Sequence, residues 1–72
     1  MNADIEFLKM LLGSYDSIED KIYFLQLRER QKYHYYCDCG AYFTQEQNDE
    51  YQETWDWIID NLNKLKAEQA AG

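Results

Sequence analysis

The stretch TQEQNDEYQETWDWIIDNLNKLKA, residues 44–67, decides how the rest of the chain folds. Thr44 is a good N-cap, and Gln47 three residues on completes a capping box. Tyr51, Trp55, Ile58, Leu62 and Leu65 then recur at intervals of four, three, four and three, which is the spacing of one apolar stripe on a helix. The pattern predicts a helix from about Gln45 to about Ala67, with Glu68 to Gly72 fraying. A stripe on one side requires another element to cover it, so the remaining segments are read as its partners.

Upstream, Ser17 with Asp20 three residues later resembles a capping box with a shorter acid, and Ile18, Ile22 and Leu25 follow at helical spacing. A helix beginning near Ile18 is expected. Its stripe continues through Glu29, Lys32 and Tyr36, while Phe24 and Leu27 project from the opposite side, as in a central helix touching two neighbours. Glu29 and Lys32 would pair with each other, reach solvent, or mark a polar subunit contact. Between Tyr33 and Phe43 the aromatics bracket an Asp-Cys-Gly turn that could also close a β-hairpin; helix followed by loop is the expected form. At the start of the chain Ile5, Leu8, Leu11 and Leu12 make a short helix over Ala3 to Leu12, capped by Asn2 or Asp4 and ended by Gly13. Proline is absent, and Gly13 and Gly40 are the only strong internal breakers. The expected fold is all-α, a small helical bundle within a single domain over 1–72: a long antiparallel helical hairpin with a short N-terminal helix laid across it, which dimerisation would complete.

Seventy-two residues and 8.7 kDa allow one core, in the size range where oligomerisation often supplies missing stability. With 46% hydrophobic and 17% aromatic residues the chain should fold despite a mean hydropathy of −0.77. Fourteen acids against seven bases give a net charge of −7, which disfavours direct binding to nucleic acid or to an anionic membrane. No apolar run is long enough to span a bilayer and no secretory leader is evident, so a cytoplasmic protein is expected. Cys37 and Cys39 flank a single residue, a spacing that strains a disulfide and suits reduced thiols.

The negative charge is local, for Asp38 to Asn63 holds seven acids and no base. At about 100° per residue, Glu46, Asp49, Glu50, Glu53, Asp56 and Asp60 fall within an arc of about 120° opposite the apolar stripe. The expected place of Trp57 is the middle of that arc, between Glu53 and Asp60. An outward tryptophan ringed by acids is the pattern of a hot spot that draws in a basic partner. Two ordinary accounts compete with it. The first helix or a second protomer would cover Trp57, leaving the acids as a solvated face. In addition, Arg28 and Lys32 would lie near Glu53 and Asp49, and Lys21 near Asp60, in pairs worth about 0–1 kcal/mol each. A rigid array of carboxylates also presents charge as a nucleic acid backbone does, which extends the partner reading to mimicry of DNA or RNA. Small acidic phage proteins, among them anti-CRISPR and anti-restriction proteins, use that strategy, and the composition here is similar to theirs.

Other chemistry is thinly represented. His34, Cys37 and Cys39 offer three metal ligands within six residues, but their spacing is unlike that of structural zinc sites and no second pair of Cys or His follows. His34 and Cys37 at three-residue spacing could form a nucleophile and base, yet there is no glycine-rich oxyanion loop and little chain to enclose a substrate. Tyr33, Tyr35 and Tyr36 beside Arg28, Arg30 and Lys32 could stack bases, against the overall field. The expectation is a non-enzymatic protein-binding module or inhibitor without a cofactor, engaging a basic, nucleic-acid-binding partner through the acidic face. The alternatives are an obligate homodimer or assembly subunit joined through a helical interface, and a small zinc-stabilised module.

Overall fold

The computed structural model describes residues 2–72 and is all-helical among them. Helix α1 spans Ala3–Leu12, α2 spans Ile18–Cys39, a 3-10 turn covers Gly40–Tyr42, and α3 spans Gln45–Ala71. Each start is fixed by a side-chain cap. Asn2 Oδ1 accepts from the amides of Asp4 and Ile5, and Ser17 Oγ accepts from Asp20 N–H. At Thr44 both halves of the capping box form: Gln47 N–H donates to Thr44 Oγ1 at 3.2 Å and Thr44 N–H donates to Gln47 Oε1 at 2.9 Å. The β-hairpin alternative does not form, because α2 runs on to Cys39 and the 3-10 turn delivers the chain to the Thr44 cap. Helix α3 also outruns its expected end by four residues. Ala67, Ala70 and Ala71 are strong helix formers, and nothing breaks the helix before Gly72.

The long helix α2 packs on α3. Leu25 and Ile58 are fully buried at their seam, and Leu8, Ile22, Phe24 and Leu62 complete the cluster. Phe24 is buried although it lies off the Ile18–Ile22–Leu25 stripe, because α2 meets α1 as well as α3. Its ring packs against Tyr15 at 5.3 Å, and the Arg28 guanidinium lies 5.3 Å from it and 6.0 Å from the Phe7 ring. Helix α1 is about 15 Å long against about 33 Å for α2, so it covers one half of one side of the hairpin. The uncovered tip is filled by aromatics: Tyr36 stacks on Tyr51 at 5.1 Å, Tyr51 on Trp55 at 6.2 Å, and Phe43 sits 5.3 Å from Tyr35.

Polar bonds set the position of α1. Asn2 Nδ2 donates to Thr54 Oγ1 at 2.9 Å and to the Glu50 carbonyl at 3.3 Å, while Lys32 Nζ donates to Asp4 Oδ2 at 3.0 Å. Thr54 is 1% exposed, and its hydroxyl donates to the Glu50 carbonyl while accepting from Asn2. Thr54→Val keeps the shape and removes both bonds, so it should cost about 1–2 kcal/mol and lower Tm by about 4–16 °C in a thermal melt.

Candidate functional site

The outer face of α3 holds all six carboxylates that the helical projection grouped. Glu46, Asp49, Glu50, Glu53, Asp56 and Asp60 are each exposed. Among the described residues one of them forms an ion pair, Asp60 with Lys64 at 3.2 Å, itself well exposed. Asp49 accepts from Gln45 Nε2 at 2.8 Å and Asp56 accepts from Gln52 Nε2 at 2.9 Å. Those amides sit one turn earlier and hold the carboxylates in place without cancelling their charge. Glu46 to Asp60 covers about 21 Å of axis at about 1.5 Å per residue, so six charges stand roughly one per 4 Å. One strand of a DNA duplex carries about one per 3.4 Å.

Trp57 is half-buried and packs against the core cluster, as do Leu11, Leu12, Ile18 and Leu65. It lies about 100° around the helix from the buried Ile58, at the margin of the acidic arc rather than at its centre. That margin is on the side of α3 where Thr54 bonds Asn2 and where α1 lies. The indole is therefore partly covered by the core instead of standing free among the carboxylates.

The expected pairing of the acidic face with α2 is not found. Among the described residues Lys32 pairs with Asp4, and neither Arg28 nor Lys21 forms an ion pair. Arg28 instead lies between the Phe7 and Phe24 rings and donates to Gln31 Oε1 at 3.4 Å. The reason is packing. Arg28 and Lys32 occupy the side of α2 next to α1, where Lys32 takes Asp4 as its partner, and of the six carboxylates Glu50 shares a pocket with Asp4 and Lys32. Nor do Glu29 and Lys32 pair with each other; Glu29 is half-buried beside the hairpin seam and forms no ion pair among the described residues.

His34, Cys37 and Cys39 come at the last turns of α2. His34 and Cys37 are exposed, and His34 meets the Tyr33 ring edge-on at 6.1 Å. Among the described residues no group of three His, Cys, Asp or Glu side chains converges as metal ligands would. Tyr33, Tyr35 and Tyr36 are each about half exposed, with Tyr35 and Tyr36 engaged in the packing of the tip around Phe43.

Tyr51 joins the tip to the core. Its hydroxyl donates to the Lys32 carbonyl at 3.0 Å, and burial, followed by the nearby Cys37, Tyr36 and Tyr33, raises its pKa above the ordinary 10.0. A phenol whose folded pKa is raised binds its proton more tightly in the fold than in the unfolded chain. Its contribution is complete below about pH 10 and is lost as pH rises through the folded pKa. Stability in urea should therefore fall as pH climbs beyond about 10, and Tyr51→Phe should make that fall shallower.

Two residues that shape the site were not legible as such in the sequence. Thr54 breaks the apolar pattern, yet it is the buried anchor for α1, and Asn2 has a role beyond that of a cap. The available signal is a threonine one turn before Ile58, beside the apolar stripe. No helix among the described residues is long and apolar enough to cross a membrane. In comparisons with protein-family models, with curated proteins and with solved structures, nothing matches this chain.

Proposed function

We propose that the chain is a non-enzymatic module that binds a basic partner protein through the outer face of α3. The supporting observation is an array of six exposed carboxylates on one rigid helix, five of them outside any ion pair among the described residues. Carboxylates placed to neutralise neighbouring bases would be expected to pair with α2, and among the described residues none of the six does. An array held at about the charge density of a nucleic acid strand fits a groove built for phosphates, so the favoured partner is a nucleic-acid-binding protein whose groove is occluded. Electrostatic attraction steers the encounter and sets its orientation, and the exposed edge of Trp57 adds apolar contact at the margin.

The test uses the acids, because they are exposed and their replacement leaves the core intact. Proteins retained from a cell extract by the wild-type chain should be lost by the Glu46→Lys, Glu53→Lys, Asp60→Lys triple variant, and duplex DNA should compete for the retained protein. A retained partner that binds the triple variant equally well and ignores DNA would contradict the proposal.

A further inference from the structure

A cleft of about 300 Å³ opens between α1 and α2. Its floor is the buried Leu8, and the rings of Phe7 and Tyr35, each about half exposed, line it with apolar surface. Arg28, Gln31 and the ion-paired Lys32 and Asp4 supply its polar groups. We propose that this cleft binds a small monocarboxylate with an apolar body, its carboxylate on Arg28 and its body against Phe7, Leu8 and Tyr35.

Arg28 is the reason for a carboxylate. The chain has fourteen acids, yet this half-buried guanidinium pairs with none of them among the described residues. It lies 6.0 Å from the Phe7 ring and 5.3 Å from the Phe24 ring. Of its N–H donors, Nη1 donates to Gln31 Oε1 at 3.4 Å, and no other has a side-chain acceptor among the described residues. The free donors form the fork that a carboxylate accepts bidentately, and a guanidinium already stacked on rings loses little freedom in taking one. Charge limits the ligand to a monoanion. Lys32 is met by Asp4 at 3.0 Å, so of the two bases and one acid in the cleft Arg28 alone lacks a counter-ion. A dianionic phosphate would set its second charge near Asp4 with no base left to meet it. The volume lies at the low end for small-molecule sites and suits one ring on a short chain. The net charge of −7 repels anions at long range, but that field is screened over about 8 Å at physiological salt, whereas the carboxylate meets Arg28 at hydrogen-bond distance. No residue of α3 lines the cleft, so this site and the acidic face stand or fall separately.

Titration of the isotope-labelled full chain with 3-phenylpropionate at physiological salt, followed by nuclear magnetic resonance, tests the proposal. Saturable shifts are expected at Phe7, Leu8, Arg28 and Gln31, with a Kd on the order of 1 mM for a ligand of this size. The uncharged 3-phenylpropionamide should bind at least tenfold more weakly, and 2-phenylethyl phosphate should bind no more tightly than the carboxylate. Arg28→Gln should weaken carboxylate binding at least tenfold. Arg30→Gln removes an exposed base outside the cleft and should leave affinity within twofold of wild type. Circular dichroism, showing retained helicity, separates loss of binding from loss of folding, and the amide comparison needs only the wild-type chain. The absence of saturable shifts, or shifts centred away from the cleft, overturns the proposal. So does an amide that binds as tightly as the carboxylate, or a folded Arg28→Gln that binds the carboxylate unchanged. A phosphate bound tenfold more tightly than the carboxylate overturns the monocarboxylate assignment.

Discussion

Leu25→Ala and Ile58→Ala should each remove about 2–5 kcal/mol of stability, the range for deleting a fully buried aliphatic side chain. Both residues are 0% exposed, and they face each other's helices at the centre of the core. The effect is large because the core is small: seven hydrophobic side chains are buried among the described residues. A domain of this length has about 4–11 kcal/mol of total stability at the usual 0.05–0.15 kcal/mol per residue. One such truncation therefore removes a large fraction of the margin, with a fall in Tm of about 10 °C or more. Leu27→Ala on the same helix is the control. Leu27 is 40% exposed and should shift Tm by a few degrees at most. Equal loss at Leu27 and Leu25 would mean that the hairpin seam lies elsewhere on α2.

The second large effect belongs to the acidic face. Reversing Glu46, Glu53 and Asp60 together replaces three attractive contacts by three repulsive ones, and affinity for a basic partner should drop on the order of 100-fold or more at low salt. Exposed charges are screened over about 8 Å at physiological ionic strength and about 3 Å at 1 M, so the difference between wild type and variant should shrink steadily as salt is added. Asp60 is the one member already paired, with Lys64, and its reversal alone should have the smallest effect of the three. Binding by titration calorimetry at several salt concentrations reads out both the loss and its screening. Trp57→Ala belongs in the same series for a different reason. Its ring packs on the core cluster, so its removal should lower Tm as well as affinity, whereas the charge reversals should leave Tm nearly unchanged.

The helices are legible because their starts are written in capping chemistry: of the two candidates Asn2 and Asp4 it is Asn2 that caps α1, Ser17 accepts from Asp20 N–H without the reciprocal bond of a box, and Thr44 forms the full box with Gln47. The stripe of α3 is legible at its centre, Ile58 and Leu62, and less so at Tyr51, Trp55 and Leu65, which are half-buried; Trp55 lies on the side of α3 away from α1. What periodicity could not supply was the placement of α1. That depends on Asn2 reaching Thr54 across 52 residues of sequence and on Lys32 reaching Asp4 across 28. The register of an antiparallel hairpin sets Arg28 and Lys32 near the acids of α3, but packing turns Lys32 to Asp4 of α1 and Arg28 to the Phe7 and Phe24 rings. The same missing contact made Trp57 read as outward. The six carboxylates are all exposed, as charged side chains on an arc opposite a buried stripe are expected to be.

The central claim, that the outer face of α3 is where a basic partner docks, is tested most directly by nuclear magnetic resonance with an isotope-labelled chain and an arginine-rich peptide. The account predicts that amide shifts concentrate at Glu46, Asp49, Glu50, Glu53, Asp56 and Asp60, with the Trp57 indole moving beside them. Shifts of equal size at the exposed acids Asp16, Glu19 and Asp20, or none on α3, would contradict it.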